Sequence, residues 1–138
     1  MKIKWELKGA KELRKMFDDK RALRLLKDAM NQSVSLVWRD SVRNAPHLTG
    51  HLRRGIHGKV EVKGSRIIGT IGTGKVHYTP YQEFGAKPKK GKYLVFATKS
   101  GYRKIREIKP KYFLTNALKD NINKIIGIFN RTISKIFK

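Results

Sequence analysis

The sequence has no cysteine, so disulfides and thiolate metal sites are both excluded and the fold must stand on its core alone. It is also poor in acid. Ten Asp+Glu face 33 Lys+Arg, leaving a formal net charge of +23 and a pI near 10.6. Such an excess predicts attraction to polyanions: nucleic acid, an acidic protein surface or an anionic membrane. Long apolar runs are missing too. None approaches the length needed to cross a bilayer. The opening Met1-Lys2-Ile3-Lys4-Trp5-Glu6-Leu7 alternates charged and apolar residues, unlike the continuous apolar region of a signal peptide. No internal repeat, low-complexity tract or linker divides the chain.

What is present argues for a folded domain. With 39% hydrophobic and 9% aromatic residues, the chain is too apolar for a disordered basic tail. A length of 138 residues sets the expectation of one domain with one modest core, a sheet against one or two helices.

The alternation of Ile3, Trp5 and Leu7 predicts a half-buried strand, ended by Gly9. From Ala10 to about Ala45, Leu13, Phe17, Leu23, Leu26, Met30, Val34, Val37, Trp38 and Val42 recur at three- and four-residue steps. This is the core stripe of a short helix followed by a long one, breaking near Asp18-Asp19. Pro46 stops it. Two apolar, β-branched runs, Ile56 to Val62 and Ile67 to Thr73, flank Lys63-Gly64-Ser65-Arg66 and predict a hairpin. Tyr93 to Ala97 and Tyr102 to Ile108, around Lys99-Ser100-Gly101, predict a second. Leu114, Leu118, Ile122, Ile125, Ile126, Phe129, Ile133 and Ile136 mark a C-terminal amphipathic helix, with Gly127 its one weak point. The fold class is therefore α+β: an antiparallel sheet with two hairpins, packed against a long helix in the N-terminal half and a C-terminal amphipathic helix.

Candidate chemistry is sparse. Gly69 to Lys75 has the spacing of a phosphate-binding loop, but Val76 stands where the magnesium-binding Ser or Thr belongs, and a glycine-rich strand end explains the pattern better. His47, His51, His57 and His77 have no acidic or sulfur ligand beside them. Pro46 and Gly50 argue that His47 and His51 lie in a loop, so no metal site is expected. Between Ala45 and Pro110 the only carboxylates are Glu61, Glu83 and Glu107, and no catalytic triad can be assembled. Glu83, between Tyr81 and Phe84, suits a buried ion pair with an arginine such as Arg53.

Charge is concentrated downstream. Lys87 to Lys111 carries ten basic residues against the single acid Glu107. Within that stretch Lys99, Arg103, Lys104 and Arg106 are the candidate contacts to a polyanion or partner. Tyr93, Phe96 and Tyr102 interleave with the basic residues as on a single-stranded nucleic-acid platform, although aromatics on short strands more often serve a core.

Three segments resemble one family when taken in order: Ala45 to Ile56, Tyr78 to Gly85 and Pro110 to Leu118. The first carries Ala45, Pro46, Thr49, Gly50, Leu52, Arg53 and Ile56. The second carries Tyr78, Pro80, Tyr81, Glu83, Phe84 and Gly85, and the third Pro110, Phe113, Leu114, Ala117 and Leu118. Together they resemble the tail-component family of tailed bacteriophages typified by gene product ten of phage HK97. Leu48, Gly55, Tyr112 and Asn116 depart from its usual form. The resemblance implies a structural virion protein and no enzyme: a tail-completion, minor tail or head-tail joining component in the tail or at the junction, assembled in the host cytoplasm. It implies other neck and tail proteins as partners and a ring-like homo-oligomer. Contact with DNA in transit would be non-specific, and no cofactor, small-molecule substrate or membrane is implied. The competing expectation from charge alone is a small nucleic-acid-binding protein of a mobile element.

Overall fold

The computed structural model describes residues 1–9, 12, 15, 20–46, 50–64 and 66–137, with the side chains of 96–98 excepted. The elements in chain order are β1 (Lys2–Lys8), α1 (Lys20–Asn44), α2 (His51–Gly55), β2 (His57–Lys63), β3 (Arg66–Gly72), α3 (Thr79–Phe84), β4 (Leu94–Thr98), β5 (Gly101–Ile105) and α4 (Phe113–Ile136). The α+β class holds, with both hairpins and both long helices where the residue pattern sets them. The second hairpin, however, forms a two-stranded sheet of its own instead of extending the first.

The main sheet is antiparallel in the order β1-β3-β2. Its register puts Ile3, Ile71 and Gly58 in one row, Trp5, Gly69 and Val60 in the next, and Leu7, Ile67 and Val62 in a third. The alternate residues of β1 turn half-buried side chains to this face, as a period of two requires. At the centre, Ile67 and Ile71 are fully buried. Two positions in these rows are glycine for a steric reason. A Cβ on Gly69 would stand 2.8 Å from the Met30 sulfur, and one on Gly58 would stand 2.4 Å from Val34 Cγ1. Helix α1 therefore rests on sheet backbone at both places. Gly69 and Gly72 lie inside a strand paired on both sides, so the glycine pattern there is a strand and no phosphate loop.

Helix α1 is the element on which both the sheet and α4 pack. It contributes Leu26, Ala29, Met30, Val34 and Val37 to the core, and α4 contributes Phe113, Leu114, Ala117, Ile125, Ile128 and Phe129. Leu13, Phe17 and the expected break at Asp18-Asp19 lie outside the described residues. Three stripe residues depart from expectation. Trp38 is 43% exposed, and its indole N–H donates to the Ile56 carbonyl oxygen at 3.0 Å, fixing the turn into β2. Ile122 and Ile126 also face solvent, because α4 presents Asn121 to α1 instead. The Asn121 amide donates to Asp40 Oδ2 and to the Ala117 carbonyl oxygen, both at 2.7 Å. Asp40 also pairs with Arg43 at 3.1 Å and Arg39 at 3.4 Å. The Asn121 hydrogen bond, with the two guanidinium groups, holds the Asp40 carboxyl below its ordinary value of 3.8 against the opposing effect of burial.

Candidate functional site

The segment Tyr78 to Gly85 folds into α3, a single short helix started by Pro80 near its N-terminus and stopped at Gly85. On it, Glu83 is fully buried. The expected ion pair with Arg53 is not what satisfies it. Its Oε2 accepts the Leu114 backbone N–H at 3.0 Å, and its Oε1 accepts the Thr115 backbone N–H at 2.9 Å and the Thr115 hydroxyl. Glu83 thus caps the N-terminus of α4 from a distant part of the chain. It supplies acceptors to amides that have no partner within the helix, and negative charge where the helix dipole favours it. Tyr112, the residue that precedes α4, makes no side-chain cap of its own.

Backbone bonds draw the same two segments together. Lys111 N–H donates to the Gln82 carbonyl oxygen at 2.9 Å, and Tyr112 N–H to that of Glu83 at 3.1 Å. Gly85 has φ 77, and a Cβ there would meet the Ile108 carbonyl oxygen at 2.6 Å and Pro110 Cδ at 3.0 Å. Only glycine fits so tight a left-handed corner. Pro110 is thereby packed on the corner, while Phe113 and Leu114 are buried and fasten the first turn of α4.

The segment Ala45 to Ile56 joins this assembly from the other side. Pro46 follows the end of α1, and Gly50, in the left-handed conformation at φ 76, begins α2. This one-turn helix begins at His51, which Pro46 and Gly50 suggest lies in a loop, and the His51 and Tyr78 ring centroids stand 6.5 Å apart. Leu52 and Ile56 are buried. Arg53 turns back and donates through Nε to the Ala45 carbonyl oxygen at 3.1 Å, which is where its hydrogen bond goes in place of Glu83. Thr49 and His47 lie outside the described residues. The three segments thus meet in space: α2 beside Tyr78, and α3 beneath the start of α4.

Residues 8–85 match the family model described as bacteriophage HK97-gp10, putative tail-component, a span of more than half the chain. The chain belongs to this HK97-gp10-like family. No curated protein and no solved structure matches it. The match takes in the first two segments and ends with Gly85, so the rest of this HK97-gp10-like protein, from Ala86 onward, lies beyond it.

Two surfaces of the HK97-gp10-like chain stand out. The first is aromatic. Tyr81 and Phe84, both more than half exposed, share α3 with the buried Glu83, and Tyr112 adds a further partly exposed ring. Phe84 and Tyr112 meet edge to face with centroids 6.4 Å apart. Their places in the motif suggested structural residues, yet Tyr81 and Phe84 contribute nothing to the core. Only burial distinguishes them from Glu83, and burial is invisible in a six-residue helix whose one inward face depends on a distant segment.

The second surface is the β4–β5 hairpin, here called the arm. An antiparallel bridge between Ala86 and Ile108, with hydrogen bonds of 3.0 and 2.9 Å, closes its base. Strand β5 ends at Ile105, short of the Ile108 expected from the alternation, because Ile108 pairs at that base. Beyond the base the strands pair with each other and make at most marginal contact with other elements. All four candidate contacts, Lys99, Arg103, Lys104 and Arg106, are exposed. Glu107 sits 3.7 Å from Lys87 at the root. His51 on α2, His57 on β2 and His77 in the turn before α3 are exposed, and among the described residues no His, Cys, Asp and Glu group has a metal-holding arrangement.

Proposed function

We propose that this phage tail-component protein completes the tail or joins it to the head, with several copies assembled around the tail axis against neighbouring neck and tail proteins. Membership in a tail-component family carries the reading, and it supports a structural role in the particle. Two observations support assembly by contact. The Tyr81, Phe84 and Tyr112 rings form an exposed aromatic cluster of the kind that anchors protein interfaces. The arm exposes Lys99, Arg103, Lys104 and Arg106 away from the core.

Deleting the gene from its parent replicon and imaging the particles tests the proposal. Filled heads accumulating beside unjoined or aberrant tails are the expected outcome. Normal infectious particles would overturn it and favour a stand-alone nucleic-acid-binding protein, the reading that the net charge supports by itself.

A further inference from the structure

We propose that the arm and its root loop are a duplex-DNA contact that grips phosphates without reading sequence. This rests on the arm being a contact surface and needs no particular position in the particle. Between Pro88 and Arg106 there is no acidic residue, while Lys89, Lys90, Lys92, Lys99, Arg103 and Lys104 are all exposed. Among the described residues none of these six has an ion-pair partner within 4.0 Å. Their charge is uncompensated by the chain itself.

The kind of cation bears on the choice between an acidic protein and a nucleic acid. From Lys87 to Lys111 eight of the ten basic residues are lysine. Packed protein interfaces are depleted in lysine and favour arginine, although the planar fork of arginine pairs bidentately with carboxylates and phosphates alike. Lysine is a flexible, strongly hydrated point charge, suited to a backbone of phosphates at no fixed angle. The aromatic cluster, at the root of the arm, has the composition that a protein interface favours, whereas the arm, which also exposes Tyr93 and Tyr102, is dominated by lysine.

Shape agrees with charge. A two-stranded ribbon is one of the few elements that the major groove admits. The register of the arm puts Val95 opposite Lys104 and Ala97 opposite Tyr102, so Val95, Lys104 and Tyr102 share one face. Tyr102, 82% exposed, lies beside the turn. A ribbon this small has marginal stability on its own, and a bound duplex would supply the missing support. At its root Lys87, Lys89, Lys90, Lys92 and Arg106 line a cleft of about 400 Å³, whose one acid, Glu107, is paired with Lys87.

The test uses the purified full chain and a fluorescein-labelled random-sequence duplex, followed by anisotropy across roughly 50 to 200 mM NaCl, where counterion release is legible. The arm variant carries Lys99→Glu, Arg103→Glu, Lys104→Glu and Arg106→Glu. A charge-matched control carries Lys20→Glu, Arg24→Glu, Lys27→Glu and Lys119→Glu, all exposed helix positions. The arm variant is expected to lose more than about tenfold in affinity near 0.1 M salt and to flatten the salt slope by about 3 to 4, one contact per residue. The control should stay within roughly threefold of the original protein. Equal losses in the two variants would overturn the proposal, since total charge would then be the whole explanation. So would an original protein that fails to bind the duplex. An arm variant that keeps its DNA affinity but yields unjoined particles would also overturn it, in favour of an acidic protein partner. Gene deletion speaks only to the joining role, because anisotropy reads the isolated chain.

Discussion

Replacing Glu83 with alanine tests the central staple of the molecule. The carboxylate accepts the Leu114 and Thr115 backbone N–H groups at 3.0 and 2.9 Å while fully buried. Removing it leaves two backbone donors at a helix start without acceptors, while the Thr115 hydroxyl can turn to another partner. A buried donor stripped of its partner costs about 1–3 kcal/mol, so the sum is about 2–6 kcal/mol. Thr115 is only half-buried and recovers some loss through water, which puts the expectation near 3 kcal/mol. For a chain of this size that corresponds to a fall in Tm of roughly 10 °C. Glu83→Gln keeps one oxygen and should cost about half as much. Urea melts with an unchanged m-value supply the free energies, and amide exchange should lose protection first at Leu114 and Thr115. A loss below about 1 kcal/mol for Glu83→Ala would refute the capping argument. So would a coupling above about 1 kcal/mol in a double-mutant cycle with Arg53→Ala, which would restore the ion pair that the geometry rejects.

Two further outcomes follow from geometry. Gly85→Ala should cost at least ~3 kcal/mol, combining a left-handed φ with the backbone oxygen of Ile108 in the path of the Cβ. Gly91→Ala, with φ 79 but open space around it, should cost only about 1 kcal/mol, and equal losses in parallel urea melts would refute the steric part. Asp40 has a folded-state pKa below its ordinary 3.8, so its stabilisation is fully present above that value and disappears as pH falls through the lowered one. Asp40→Asn should therefore be less stable than the original near neutrality, by about 1–2 kcal/mol, and the gap should close in strong acid; a gap that is constant with pH would refute the linkage.

The sequence made some of this legible and hid the rest for physical reasons. Helix α1 is readable because Leu26, Met30, Val34 and Val37 repeat with the helical period and Pro46 ends it, both of which are local signals. The first hairpin is equally local, its Ile67 and Ile71 alternating on one face. Glu83 reads from its neighbours as a buried carboxylate suited to Arg53, and in the fold Arg53 is not its hydrogen-bond partner. Its acceptors serve Leu114 and Thr115, and nothing local to Tyr78–Gly85 points there. In α4 the apolar stripe is wider than the buried face. Ile122 and Ile126 therefore read as core, while Asn121 reads as surface until Asp40 is seen across from it. The one-turn helices α2 and α3 are too short to show a period. The arm was recognisable as a hairpin, but its separation from the main sheet was not, since alternation within a strand says nothing of which edge the strand joins.

The pairing of Ala86 with Ile108 also bears on how this protein can change over time. Everything from Lys87 to Glu107 departs from and returns to one closed point, beside the Glu83 staple but not part of it. The body keeps its helix start, its corner and its core whatever sequence that excursion carries. Substitution, lengthening or replacement by a short turn should be absorbed there without refolding the remainder. The arm is thus the part of the chain with the fewest structural obligations, and if it is the contact surface proposed above, recognition can drift there independently of the scaffold that presents it.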